Sequence, residues 1–168
     1  MASLTSCAQI ELKNGVYECE FTQIDTTETG NLLKLTTTNE YSCRRTLIVK
    51  NDTVLYKIEN IKKIFLGTAG TRDTYFLKLE KHADDLYKGK NEDIELNITV
   101  VNNKAIEAEV VRGNITGFYS SGAYMTYSDT LHPEKQTLTF ERELTPEDEE
   151  NLSREREKIE NKIIPEKS

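Results

Sequence analysis

A chain of 168 residues, 36% hydrophobic and 30% charged, has the size of one domain and enough apolar content to bury a core. Three prolines and eight glycines exclude collagen-like and Pro- or Gly-rich low-complexity chains. The mean hydropathy is −0.61, no apolar run approaches the roughly 18 residues of a membrane-crossing helix, and a net charge of −7 argues against a nucleic-acid binder held by phosphate contacts.

The first ten residues, MASLTSCAQI, hold neither the basic start nor the long apolar stretch of a secretory signal. The compartment stays open between an intracellular chain and one whose signal has been removed. Leu4-Thr5-Ser6-Cys7 resembles the end of a bacterial lipoprotein signal.

Period-two alternation then dominates, and it predicts strands with one dry and one wet face. Residues 15–23 set Tyr17, Cys19 and Phe21 against Glu18 and Glu20. Residues 25–30 read as a connector. Residues 32–38 and 43–50 read as two Thr- and β-branched-rich strands around a link at 39–41. Residues 53–60 place Val54, Tyr56 and Ile58 on one face, after the turn Lys50-Asn51-Asp52. Gly67-Thr68-Ala69-Gly70 follows an apolar run and precedes another strand rather than a helix. It therefore predicts a hairpin turn over 67–72 and not a phosphate cradle.

Residues 74–80 bring Tyr75, Leu77 and Leu79 together, and 82–91 read as the longest loop, with a helical turn near 84–87. Residues 93–101 and 105–111 alternate most cleanly, and Asn102-Asn103 between them predicts a hairpin. Residues 117–127 are aromatic-rich, uncharged and flanked by glycines, fit for a cavity lining or a tight barrel corner. Residues 122–127 and 136–143 close the strand series. About ten short-linked strands make an antiparallel meander that must close or stack to remove its edges. Thr145-Pro146-Glu147-Asp148 then starts a helix: N-cap, Pro at the first position, acids in the first turn. Leu152, Ile159 and Ile163 form its narrow apolar stripe. The expected organisation is a barrel domain over 1–143 and a charged helix and tail over 144–168.

Catalytic and metal constellations are sparse. No GxSxG, HExxH, Walker loop, GxGxxG or CxxC occurs. His82 and His132 stand apart from any cysteine and read as solvated loop residues. No cofactor is expected. Cys7, Cys19 and Cys43 are odd in number; a Cys19–Cys43 bridge and three free thiols both fit. Four Asn-x-Ser/Thr sequons, at Asn51, Asn97, Asn114 and Asn151, matter only in a secretory compartment. Arg44-Arg45 lies inside a strand. If Arg45 shares the face of Leu47 and Val49, it points inward and needs an internal carboxylate or an acidic ligand head group.

Asn14-Gly15-Val16-Tyr17 is similar to the Gly-x-Trp/Tyr motif in the first strand of calycins, the lipocalin and fatty-acid-binding-protein superfamily. Arg142 after the last strand and the helix from Thr145 are similar in position to theirs. The resemblance implies an up-and-down barrel with a ligand cavity, Arg142 packed over the first-strand aromatic, and some relatives that act as enzymes. The expected fold is thus all-β, an antiparallel up-and-down barrel with a C-terminal helix. The expected function is non-enzymatic binding of a small apolar or amphiphilic ligand. The candidate ligand-binding residues are Arg45, to meet an acidic head group, with Tyr56, Tyr75 and Tyr127 bounding the pocket. The alternative is a protein-interaction module: a side-chain-filled barrel that binds a partner through strand edges or the C-terminal helix.

Overall fold

Strands with one dry face must cover both that face and their edges, and this chain does so by closing the sheet on itself. The structure, a computed structural model, describes residues 11–120 and 123–163, apart from the side chains at 116, 117, 119, 124–129, 162 and 163. Cys7 and the lipoprotein-like Leu4-Thr5-Ser6-Cys7 lie outside it, as do the side chains of Tyr127 and Ile163.

The strands are β1 (Gly15–Thr29), β2 (Leu35–Lys50), β3 (Thr53–Ile64), β4 (Gly67–Lys81), β5 (Leu86–Lys90), β6 (Ile94–Asn102), β7 (Ala105–Ser120), β8 (Ala123–Leu131) and β9 (Glu134–Arg142), followed by the helix α1 (Pro146–Ile163). Each strand from β1 to β7 pairs antiparallel with the next. β8 and β9 lie one after the other along the same edge of β7, on Gly113–Ser120 and Ala105–Val110 respectively. They act as one stave broken at His132-Pro133, and β9 closes the ring on β1 over Val16–Glu18. The result is an up-and-down antiparallel barrel with a C-terminal helix.

The two halves of the barrel differ. The lower half is filled by its own side chains, including Leu47, Val54, Ile58, Leu96, Ile98 and Leu138. Leu12 packs against this cluster from the N-terminal side. On the outer surface Leu152 of α1 covers Val16, Ile48 and Leu55. Higher up, β7 leaves β6 at Gly113 and pairs its end, Phe118–Ser120, with Ala69–Thr71 of β4. At the same place β3 crowds β4, and Gly70 permits it, since a Cβ there would stand 1.9 Å from the Asn60 carbonyl oxygen. β1 stops pairing with β9 at Glu18 but continues against β2 as far as Thr29, so these two strands rise past the barrel as an arm.

Four expected connectors take other forms. Residues 25–29 continue β1, and 39–41 lie inside β2. From Gln23 to Glu28 and from Leu35 to Thr38 both faces of the arm are exposed, so no alternation marks these strands. The β3–β4 turn is Phe65-Leu66, with Ile64 opposite Gly67 at φ 120°, and residues 67–72 belong to β4. Leu86–Lys90 form a short strand between β4 and β6 rather than a helical turn. Nine strands stand among the described residues, in line with the roughly ten expected: 32–38 and 43–50 merge into β2, and β5 is added. The hairpin expected at Asn102-Asn103 turns one residue later, at Asn103-Lys104, and the helix starts after Thr145 as the sequence places it.

Candidate functional site

Alternation along β2 carries Arg45 inward with Leu47 and Val49, and the guanidinium is 1% exposed. A cation this deep needs partners in the interior. Its Nε donates to Glu134 Oε1 at 2.5 Å and its Nη2 to Oε2 at 3.1 Å. Nη1 donates to the carbonyls of Arg44 at 3.0 Å and Glu59 at 3.1 Å. The Phe21 ring lies 5.0 Å away, in cation–π range. The break at His132-Pro133 delivers Glu134 to this point at the start of β9.

The Arg45–Glu134 pair lies at the base of a cavity of about 720 Å³. The cavity opens where β1 and the β8–β9 stave part. Its apolar side comprises Ile115, Phe118, Leu131 and Pro133. Its polar side comprises Gln23, Asp25, Asn60, Lys62 and His132, with the Tyr41 ring 5.7 Å from the Lys62 ammonium. Asn60 Nδ2 donates to Thr71 Oγ1 at 3.2 Å, while its buried Oδ1 has no hydrogen-bond partner among the described residues. A second, shallower groove of about 540 Å³ lies by Glu20, Arg44, Glu59 and Arg72, bridged by Arg44–Glu20 and Arg72–Glu59 ion pairs.

The four candidate residues separate. Arg45 lines the cavity. Tyr56 and Tyr75 face one another across β3 and β4 in the filled interior, outside the cavity lining. Tyr75 donates its hydroxyl to the Asn114 carbonyl at 2.8 Å. The Tyr56 hydroxyl, close enough to Glu134 and Arg45 to feel both charges, has no partner among the described residues. Burial pushes both phenols well above their ordinary range, so both stay neutral donors at physiological pH. The side chain of Tyr127 lies outside the described residues.

Glu134 carries no periodic signal that ties it to Arg45. Phe118 falls in the aromatic run that the sequence singles out, whereas Gln23, Asp25, Asn60 and Lys62 have no marking in sequence.

Cys19 and Cys43 are free thiols. Burial raises both, against the opposing pull of Arg45, which keeps them protonated and weakly nucleophilic. His132 is exposed at the cavity rim and His82 is exposed elsewhere. Among the described residues no group of three or more His, Cys, Asp or Glu side chains is gathered to hold a metal, and no helix is long and apolar enough to cross a membrane.

At Asn14-Gly15-Val16-Tyr17, Tyr17 meets the edge of Phe140, with centroids 5.4 Å apart and planes at 81°. Arg142 instead pairs with Asp148 in α1. No family model, curated protein or solved structure matches this chain.

Proposed function

We propose that this chain is a non-enzymatic binding protein, calycin-like in design, that holds a small amphiphilic molecule in the cavity at the open end of its barrel. The observation that carries this reading is a cavity of about 720 Å³ with an apolar side and a polar side, within the roughly 300–1,000 Å³ typical of small-molecule sites. The polar lining from Gln23, Asp25 and Lys62 favours a ligand with a hydroxyl, amide or amine at one end. Arg45 already spends four N–H groups on Glu134 and two carbonyls. It serves the ligand as part of a neutral floor, not as a bare cation for a head group. Neutral phenols and protonated thiols nearby also suit holding better than chemistry.

Native mass spectrometry of protein from its natural source tests this reading. A bound mass of a few hundred daltons, lost in Phe118→Asp and weakened in Asn60→Leu, is the expected result. Protein that carries no small molecule, and takes none up from lipid or metabolite extracts, would overturn it.

A second reading rests on the open strand edges. Beyond Glu18, β1 pairs with β2 alone, and β8 pairs with β7 alone, among the described residues. An extended peptide adding to either edge would appear in the same spectrum as a peptide-sized adduct.

A further inference from the structure

We infer that the open end of the barrel docks on an anionic lipid surface, with the β3–β4 turn as its main anchor and the tip of the β1–β2 arm as a second. Exposed large apolar side chains are concentrated at this end. Of eight such residues in the described chain, Ile24, Leu32, Leu33, Leu35, Phe65 and Leu66 lie on these two hairpins. Leu32 and Phe65 are each 99% exposed. A two-residue turn that needs no apolar group for its geometry nevertheless presents Phe65-Leu66 outward, at a cost in solvation that docking removes.

Charge selects the partner. At the β3–β4 turn, residues 60–72 contain Lys62, Lys63 and Arg72 and no carboxylate, in a chain whose net charge is −7; on the arm, Lys34 stands at the tip and Asp25, Glu28 and Glu40 lie behind it. Lysines directly behind an apolar tip suit an interface where the tip enters the acyl boundary and the ammonium groups stay with lipid phosphates. The turn therefore carries the preference for anionic lipid, acids more than about 8 Å from it being screened at physiological salt, and the arm adds apolar contact. Two separate protrusions also suit a fluid bilayer better than a protein partner, which needs about 800 Å² of continuous complementary surface on each side. The surface is independent of what fills the cavity, although a carrier of amphiphiles would exchange its cargo at such a place.

Cosedimentation of the ligand-free chain with large unilamellar vesicles provides the test, using phosphatidylcholine alone and with about one-third phosphatidylglycerol. The chain should bind the anionic vesicles about tenfold or more tightly than the neutral ones, and binding should fall as salt rises. Phe65→Ser/Leu66→Ser should weaken binding to both vesicle types by at least about tenfold. Lys34→Glu/Lys63→Glu should abolish the preference for anionic lipid. All four positions lie on turns or exposed strand ends, and an unchanged thermal midpoint in each variant separates lost docking from lost folding. Equal binding to both vesicle types would overturn the proposal, as would full retention by Phe65→Ser/Leu66→Ser. A dimer in sedimentation that this variant dissolves, with no vesicle binding by the parent chain, would make a second copy the occupant instead. Loss of vesicle binding would leave the ligand reading untouched, because native mass spectrometry reads the cavity separately.

Discussion

At the scale of single residues, the Arg45–Glu134 pair decides whether the barrel can hold a cation in its interior. Removing one partner leaves the other charge buried without compensation, which costs about 3–5 kcal/mol, whereas replacing both by apolar groups of similar volume is close to neutral. Glu134→Gln and Arg45→Met should therefore each lower the urea midpoint strongly, and Arg45→Met/Glu134→Leu should recover most of the loss. A double variant as unstable as the two single changes added together would rule this account out. The two buried tyrosines make an opposite pair. Tyr75→Phe deletes a hydroxyl bonded to the Asn114 carbonyl and should cost about 1 kcal/mol. Tyr56→Phe deletes a hydroxyl with no partner among the described residues and should leave ligand-free stability unchanged or slightly higher in the same titration. The inward direction of Arg45 was legible in sequence, because period two puts it on the face of Leu47 and Val49. Its partner was not, since Glu134 lies 89 positions away and only the closure of β9 on β1 brings the two together.

At the scale of elements, α1 shows a start signal completed by tertiary contacts. Thr145 Oγ1 accepts from the Asp148 amide at 3.3 Å, and the Asp148 carboxylate accepts from the Thr145 amide at 2.8 Å, a reciprocal cap. Arg142 at the end of β9 adds a forked bond to the same carboxylate. Chiefly the Arg142 bond, with help from Thr145 and against the effect of burial, holds the Asp148 carboxyl down at about 2 from the usual 3.8. The folded value lies below the unfolded one, so this contribution is fully present above the unfolded value and is lost as pH falls toward 2. Asp148→Asn should cost about 1–2 kcal/mol at neutral pH, and the gap in urea midpoint between parent and variant should close as pH approaches 2. A gap that persists unchanged at that pH would contradict the assignment. The helix was readable because caps are local chemistry. β5 was not, because its five residues are too few to display a period and are held as a strand by β4 and β6 on either side. The upper part of β1 and the join at 39–41 in β2 were not legible for another reason: with solvent on both faces, nothing selects alternating side chains, and only the Thr and β-branched content of 32–38 marks a strand there.

At the scale of the whole molecule, the barrel divides into a lower half that stabilises and an upper half that is spent on surface and cavity. The buried cluster draws on β1 no further than Cys19, yet β1 continues to Thr29 and β2 begins at Leu35. Residues that bury so little area contribute little to folding, so the arm should be separable from the fold. Replacing residues 24–40 with an Asn-Gly turn between Gln23 and Tyr41, which are partners in the β1–β2 register, preserves the ladder below and suits the twist of a two-residue hairpin. The shortened chain should melt within about 4 °C of the parent. It should also lose affinity for any cavity ligand, because Asp25 and the wall around it are gone, and lose part of its vesicle binding with Leu32 and Leu33. A collapse of the melting midpoint would mean that the arm supports the ring from above. The open slot between β1 and β8 would then be a weakness of the fold that the arm holds shut. Retained stability with lost binding would mean that the long strands exist for recognition, since a barrel closed over Val16–Glu18 has no folding requirement for them.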